Sequence, residues 1–447
     1  MKAQRSALAN GSRVALTTLG CKVNAYESAI IAQRLGADHW TRVGERECAD
    51  LYVINSCTVT AEADRQTRQA VRRALRLNPA ARVVVTGCYA QNDPQACADI
   101  PGVSLVVGNE QKLSIPGLIC DLPVPSGRPA PVRLGQSVDV PIQLLNGYHD
   151  RSRALVQVQQ GCDQSCTFCV IHRARGASRS LAVDAVVRQV RRFIAQGYRE
   201  IVVCGIDLGS YGQERGGPAV SLAALLTCIA DLPGDFRIRL SSLDPVHLDD
   251  QLLEVLASSP RFCPYLHLSI QCGSTLILKR MGRRYDAALV RERVVQARGR
   301  IPGLILGGDI MVGFPTESAE DFAQTLRLID ELEIIYPHVF TYSARPGTPA
   351  ARISRQVPKN VRRERAAILR QTGQQLRTRA LESQLWQEAE ILVEQVNPGG
   401  SAAYHGRLAN YMPVWLSTPP AGAGCFQAAQ IVGRQGDTLV ARALGRE

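Results

Sequence analysis

The sequence predicts an α/β protein in three parts: an N-terminal parallel α/β sheet domain over residues 1–147, a central partial (β/α)6 barrel over 148–383, and a small C-terminal all-β barrel over 384–447. Three observations predict it. In the first part, apolar, β-branched runs at 13–18, 51–55 and 82–86 each pass through a short loop into a helix-like stretch such as 61–77. In the second, six strand-like runs alternate with helical patterns. In the third, short apolar runs from 391 onward are separated by glycine and proline.

Strands that alternate with helices form parallel sheets, whose functional groups collect beyond the carboxyl ends of the strands. Each of the first three runs is followed by a cysteine: Cys21 after Leu19-Gly20, Cys57 after Asn55-Ser56 and Cys88 after Thr86-Gly87. Equivalent positions in successive units would bring three thiolates to one edge, a possible second cluster site. The alternative is that each is a small hydrophobe of the sheet. Cys48, Cys97 and Cys120 lack that placement and are expected to pack. Arg65, Arg68, Arg72, Arg73 and Arg76 fall at helical steps and make one solvated basic face. Residues 123–131, with four prolines and a glycine, read as a linker or long surface loop.

The six runs of the second part are 154–160, 200–207, 237–243, 266–272, 306–314 and 338–343, with helical patterns such as 183–196 and 286–300 between them. A barrel of this kind carries its chemistry at the carboxyl ends of its strands. Gly205, Asp207, Ser241, Ser242, Gln271 and Tyr342 fall there. Directly after the first run come Cys162, Cys166 and Cys169, spaced C-x3-C-x2-C. Thiolates are soft ligands, and three on one short loop can hold three corners of a cubane iron–sulfur cluster, leaving one open. Two alternatives stand beside this reading. His172 would complete a tetrahedral Cys3His zinc site, and a redox or merely buried C-x2-C is the other. His247, His267 and His338 read as structural histidines with satisfied hydrogen bonds.

The formal net charge of +12 and pI near 9.2 favour a polyanionic partner over a neutral metabolite. Between Arg352 and Ser383 there are nine Lys and Arg against Glu364 and Glu382, and Lys279, Arg280, Arg283 and Arg284 add a compact patch. From residue 384 onward four arginines face five acids, so any nucleic-acid contact there would use Tyr404, His405, Tyr411 and Trp415, for which a core role is equally open. The 14 cysteines are scattered along a long chain with no secretory segment and no run of membrane-span length. A reducing cytoplasm is the expected location.

The six cysteines and their local sequence resemble the methylthiotransferase branch of the radical S-adenosylmethionine (SAM) superfamily. The matching stretches are Leu19-Gly20-Cys21-Lys22-Val23-Asn24, Asn55-Ser56-Cys57-Thr58-Val59-Thr60, Thr86-Gly87-Cys88-Tyr89-Ala90-Gln91 and Gln160-Gly161-Cys162 through Cys169. Ser269 to Ser274, Gly313-Phe314-Pro315 and Arg345-Pro346-Gly347-Thr348-Pro349 match as well. That family joins an N-terminal three-cysteine domain, a radical SAM barrel and a C-terminal TRAM barrel. The resemblance implies two 4Fe-4S clusters, on Cys21, Cys57 and Cys88 and on Cys162, Cys166 and Cys169. The amino and carboxylate groups of SAM would chelate the open iron of the second, with SAM lying across the rim marked by Gly205, Asp207, Ser241 and Gln271.

It also implies the chemistry. One SAM donates a methyl to sulfur held at the auxiliary cluster; a second is cleaved to the 5′-deoxyadenosyl radical that abstracts hydrogen from an unactivated carbon. No catalytic residue beyond the clusters is implied. The implied partners are the anticodon stem-loop of tRNA, an electron donor such as a flavodoxin-type reductant and a sulfur source, with no membrane. Branches of the family act on N6-threonylcarbamoyladenosine or N6-isopentenyladenosine in tRNA, or on a ribosomal protein aspartate, and Lys22-Val23-Asn24 resembles the first. A zinc-dependent, non-catalytic RNA-binding module is the alternative of another class. The chain departs from the family pattern at His172-Arg173, Asp207 and Cys272; the last, near the rim, is a candidate reactive thiol.

Overall fold

Leu51–Ser56 and Arg82–Gly87 are buried along their whole length, as central strands of a parallel sheet covered on both faces must be. They lie in a six-stranded sheet of order Thr41–Val43, Arg13–Thr18, Leu51–Ser56, Arg82–Gly87, Leu105–Val107, Val132–Arg133, with every pairing parallel. Side chains alternate between two apolar layers. Val53 and Val84 pack with Ile31 and Leu35 of helix Lys22–Ala37. Ile54, Val83 and Val85 pack with Val71 and Ala74 of helix Ala61–Leu77. Fully buried residues of this size each contribute about 1.5–3 kcal/mol. The strand order reverses between Arg13–Thr18 and Leu51–Ser56, and in doubly wound sheets the crevice at that reversal is the binding position.

The computed structural model describes residues 11–119, 129–135, 144–148, 151–214, 219–395, 404–417 and 422–444. Cys120 and most of the proline-rich stretch 123–131 lie outside the described residues. The chain divides into two compact units. The first gathers Met1–Asn146, Gln160–Ser178 and Ser343–Thr348; the second gathers Gly147–Gln159, Arg179–Tyr342 and Pro349–Glu447. The C-x3-C-x2-C loop therefore belongs to the same unit as the N-terminal sheet.

In the second unit, Ala154–Gln157, Glu200–Cys204 and Arg237–Leu240 form one parallel sheet, and Tyr265–Gln271, Ile305–Val312 and Ile334–Thr341 form another. Parallel bridges Ile238–Phe262 and Leu243–Leu268 join the two, so the six predicted strands follow one another in chain order. Helices run between them. Asp286 caps Ala287–Arg300, and Ser318 forms a capping box with Asp321 at the start of Ala319–Glu331. The last helix, Lys359–Glu382, buries Ala366, Leu369, Gly373 and Leu376.

Five strands, Glu388–Gln395, Tyr404–Leu408, Pro413–Leu416, Phe426–Gln435 and Thr438–Ala443, close into a barrel through the parallel pairing of the third with the fifth. Closure leaves no edge strand. Among the described residues no helix is long and apolar enough to cross a membrane.

Candidate active site

Cys21, Cys57 and Cys88 stand at the carboxyl ends of adjacent strands. Cys21 is the N-cap of helix Lys22–Ala37, Cys57 follows Leu51–Ser56, and Cys88 opens the short helix Cys88–Asn92. A Cβ on Gly20, whose φ is +93°, would lie 2.8 Å from both Cβ and Sγ of Cys57. Only glycine allows the first cysteine loop to come this close to the second cysteine. Asn24 ties the loops together, donating from Nδ2 to Leu19 O at 2.7 Å and to Ser56 O at 3.0 Å. Burial, reinforced by Cys88 nearby, pushes the Cys57 thiol up to about 12. Thiolates grouped in this way repel one another unless cationic charge joins them, and coordination to a metal is the ordinary way a buried thiol is deprotonated.

The second triad is held by backbone. Cys162 N donates to Gly176 O at 3.1 Å. Gly161, at φ +75°, leaves no room for a side chain, since a Cβ there would sit 1.9 Å from Ala177 O. Gln164 N donates to Cys162 Sγ and Ile171 N to Cys169 Sγ, each at 3.4 Å. Hydrogen bonds to sulfur are a principal means by which a protein tunes a thiolate-bound cluster. His172 keeps Nδ1 buried without a hydrogen-bond partner, and burial together with Arg173 lowers its affinity for a proton. Among the described residues no group of three or more His, Cys, Asp or Glu side chains converges on a point where one metal ion could sit. A cubane spreads its thiolates over different irons and does not need them to converge on one point.

Along the rim of the second unit, Gln159 Oε1 accepts from Ile206 N at 3.0 Å and Asp207 N at 2.9 Å, fixing the turn after Gly205. Asp207 is part of a charged group: it accepts from Ser210 Oγ at 2.8 Å and lies 3.8 Å from both His247 and Arg284. Ser241 Oγ and Gln271 Oε1 are buried with no hydrogen-bond partner, and Gln271 has a φ of +63°. An orphaned buried oxygen is costly in a finished protein. Two of them at the ends of neighbouring strands fit a site for a polar ligand such as SAM. Cys272 corrects the sequence reading: it is buried, shares a 3.3 Å hydrogen bond with Thr325 Oγ1, and burial pushes its thiol up to about 11.

Residues 156–329 match the Radical SAM superfamily, and residues 13–108 match the uncharacterized protein family UPF0004. The threonylcarbamoyladenosine tRNA methylthiotransferase MtaB of Rickettsia prowazekii is 38% identical over 95% of this chain and 96% of its own length. The chain belongs to the radical SAM methylthiotransferase family. The MtaB of Bacillus subtilis is 40% identical over 81% of this chain and 80% of its own. A tRNA-2-methylthio-N(6)-dimethylallyladenosine synthase of Protochlamydia amoebophila is 30% identical over 95% and 94%. Among solved structures, the radical SAM methyltransferase TsrM of Kitasatospora setae, with cobalamin and a [4Fe-4S] cluster bound, aligns with a TM-score of 0.54 at 14% identity. It covers 76% of this chain and 77% of that one, and shows a shared fold. Radical SAM enzymes use SAM and an iron–sulfur cluster.

Several residues that shape this methylthiotransferase were not assigned roles from sequence. Glu27, Lys112 and Arg175 form a buried charged group beside Cys88. Arg345 Nη2 donates to Thr58 Oγ1 at 2.5 Å and to Asp64 Oδ2 at 2.7 Å, just past Cys57. The only sequence signals were the position of Arg175 six residues after Cys169 and the Arg345-Pro346-Gly347 match. The basic helix also needs correction. Arg362 donates to Tyr342 O and Arg365 pairs with Glu317, both at 2.5 Å, whereas Arg352, Arg355, Lys359 and Arg363 are exposed. Cys48 is exposed rather than packed.

Proposed function

We propose that this methylthiotransferase converts N6-threonylcarbamoyladenosine beside the anticodon of tRNA to its 2-methylthio derivative, replacing C2–H with C2–SCH3. The observation that carries the reading is the full-length similarity, 38% over 425 residues, to a relative named for that substrate, against 30% over 426 residues for one named for dimethylallyladenosine. Lys22-Val23-Asn24 supports the same branch. In this reading the N-terminal part, 1–147, carries sulfur, the middle part, 148–383, generates the radical, and 384–447 assists RNA binding.

Cys162, Cys166 and Cys169 would hold the cluster that binds SAM, and Cys21, Cys57 and Cys88 an auxiliary 4Fe-4S cluster. When bound, these groups supply one-electron cleavage of SAM and a sulfur acceptor for its methyl. The chain's own residues do the rest. Gln159 holds the Ile206–Asp207 turn through two backbone N–H groups. Ser241 and Gln271 offer hydrogen-bonding oxygens to the polar end of SAM. The exposed bases Arg352, Arg355, Lys359 and Arg363 would meet RNA phosphates, which give affinity and register. A reductant of the flavodoxin type and an external sulfur source complete the proposal.

The test is mass spectrometry of tRNA nucleosides from a strain lacking the protein. The 2-methylthio-threonylcarbamoyl nucleoside should vanish and its precursor accumulate. Loss of the methylthio-isopentenyl nucleoside alone, or of methylthio-aspartate in a ribosomal protein, would reassign the branch.

A further inference from the structure

Arg175 is buried, with 2% of its surface exposed, beside Glu27 at 5% and Lys112 at 1%. Its Nη1 donates to Glu27 Oε1 at 2.6 Å and its Nη2 to Glu27 Oε2 at 3.1 Å, while Lys112 Nζ donates to Glu27 Oε2 at 2.5 Å. Nη2 also donates to Asn24 Oδ1. The remaining edge of the guanidinium points at sulfur, with Nε donating to Cys88 Sγ at 3.2 Å. Asn109 Nδ2 lies 3.8 Å from the same sulfur and donates to Ala174 O at 2.6 Å. Burial alone would raise the Glu27 carboxyl, but Arg175 and Lys112 hold it below the usual carboxylate range.

Stable burial of charge requires compensation, and Glu27 pairs with both Arg175 and Lys112. The neighbouring sulfurs in this unit are those of Cys21, Cys57 and Cys88, which would carry negative charge as ligands of a cluster. Arg175 is also stitched to the other triad, because the carbonyl of the next residue, Gly176, accepts from Cys162 N at 3.1 Å. One residue therefore bonds an N-terminal cysteine with its side chain and sits next to the backbone anchor of the C-x3-C-x2-C loop.

We propose that Arg175 is the positioning residue of the auxiliary cluster: it hydrogen-bonds the Cys88 sulfur, brings to it a positive charge that makes that cluster easier to reduce, and fixes the Cys162 loop to the same site. This rests on the two-cluster reading above. Hydrogen bonds and positive charge at a cluster sulfur stabilise the reduced, more negative state. Glu27 works in the opposite sense, partly neutralising the cations.

The experiment uses the full chain with Cys162, Cys166 and Cys169 replaced by alanine, so that only the auxiliary site can hold iron, reconstituted anaerobically and titrated with dithionite under electron paramagnetic resonance. Arg175→Gln should move the midpoint potential to more negative values and Glu27→Gln to more positive values, with iron content held at about four per chain. Arg175→Lys, which keeps the charge but loses the fork, should fall between Arg175→Gln and the parent. Both Gln variants remove one partner of the same ion pair, so a purely structural role predicts no shift or shifts of the same sign. Either result would overturn the proposal. A background protein that binds no cluster would overturn the two-cluster reading and this inference with it, which separates the two failures.

Discussion

Tyr411 stacks on Tyr265 with ring centroids 4.9 Å apart and planes inclined by 27°. Both rings are flanked by Arg239, whose guanidinium lies 5.0 Å from Tyr411 and 5.6 Å from Tyr265. Arg407 adds a second cation 4.4 Å from Tyr411. Tyr411, one of four aromatic residues open between RNA contact and core, is thus a packing residue between the small barrel and the first residue of the strand Tyr265–Gln271. Tyr411→Ala should cost about 2–4 kcal/mol, because it removes the stack and uncovers the arginines. Urea denaturation of the full chain measures it, and Tyr411→Phe should retain most of the stability.

Beneath that stack Glu200 accepts from Arg237 Nε and Arg239 Nε, both at 2.7 Å. Burial alone would raise its carboxyl, but Arg239 and Arg237 hold it at about 2 against an ordinary 4.5. A carboxyl depressed in the folded state stabilises the protein at pH values above 4.5 and loses that contribution as pH falls from there through about 2. The contribution is on the order of 3 kcal/mol. Glu200→Gln should therefore lower stability at neutral pH and flatten the acid limb of a stability–pH profile between those values.

Ser241 and Gln271 should separate stability from binding. A buried oxygen without a partner destabilises the ligand-free chain by about 1–3 kcal/mol. Ser241→Ala should leave the Tm unchanged or raise it slightly while weakening SAM binding about tenfold, as titration calorimetry would read. Unaltered affinity would place SAM elsewhere.

Arg345 satisfies Asp64 and Thr58, all three buried. Arg345→Ala leaves a buried carboxylate without its cation and should cost about 3–5 kcal/mol. Since Thr58 directly follows Cys57, iron bound at the N-terminal triad should also fall. Denaturation and iron analysis of the same preparation check both outcomes.

Replacing Lys359 and Arg363 by glutamine should reduce the slope of log affinity for tRNA against log salt by up to about 0.9 each, with the Tm unchanged. Arg365→Ala should behave differently. It strands buried Glu317 and should lower stability by about 3 kcal/mol.

The strand-end cysteines were legible because parallel α/β units place successive loops at one edge, and three runs of the right length were each followed within three residues by a cysteine. Strand boundaries were less so. Ile334–Thr341 begins four residues before the expected start because Pro337 reads as a breaker, yet it lies on the last strand of its sheet, where a missing N–H costs no ladder bond. Counting charges between Arg352 and Ser383 found the basic helix but not its phase. Ala366, Leu369, Gly373 and Leu376 set the buried face, and that turns Arg365 inward and leaves Arg363 in water. The pairs Arg175–Glu27 and Arg345–Asp64 span 148 and 281 residues. No local period encodes such a pairing. Cys272 follows the last strand residue, where alternation no longer says which way a side chain points.

The first unit is assembled from three separated stretches, the last being Ser343–Thr348. As the polypeptide leaves the ribosome, Glu27 and Asp64 are made long before Arg175 and Arg345, so Asp64 waits for its cation until residue 345 is made, and Glu27 has only Lys112 until residue 175 is made. Contacts at such separation form late and slowly. A nonsense mutation anywhere upstream of residue 343 would therefore spoil the surroundings of Cys57 as surely as a change beside it, and a fragment ending near 147 should be recovered as an aggregation-prone chain rather than as an isolated sulfur-carrying domain.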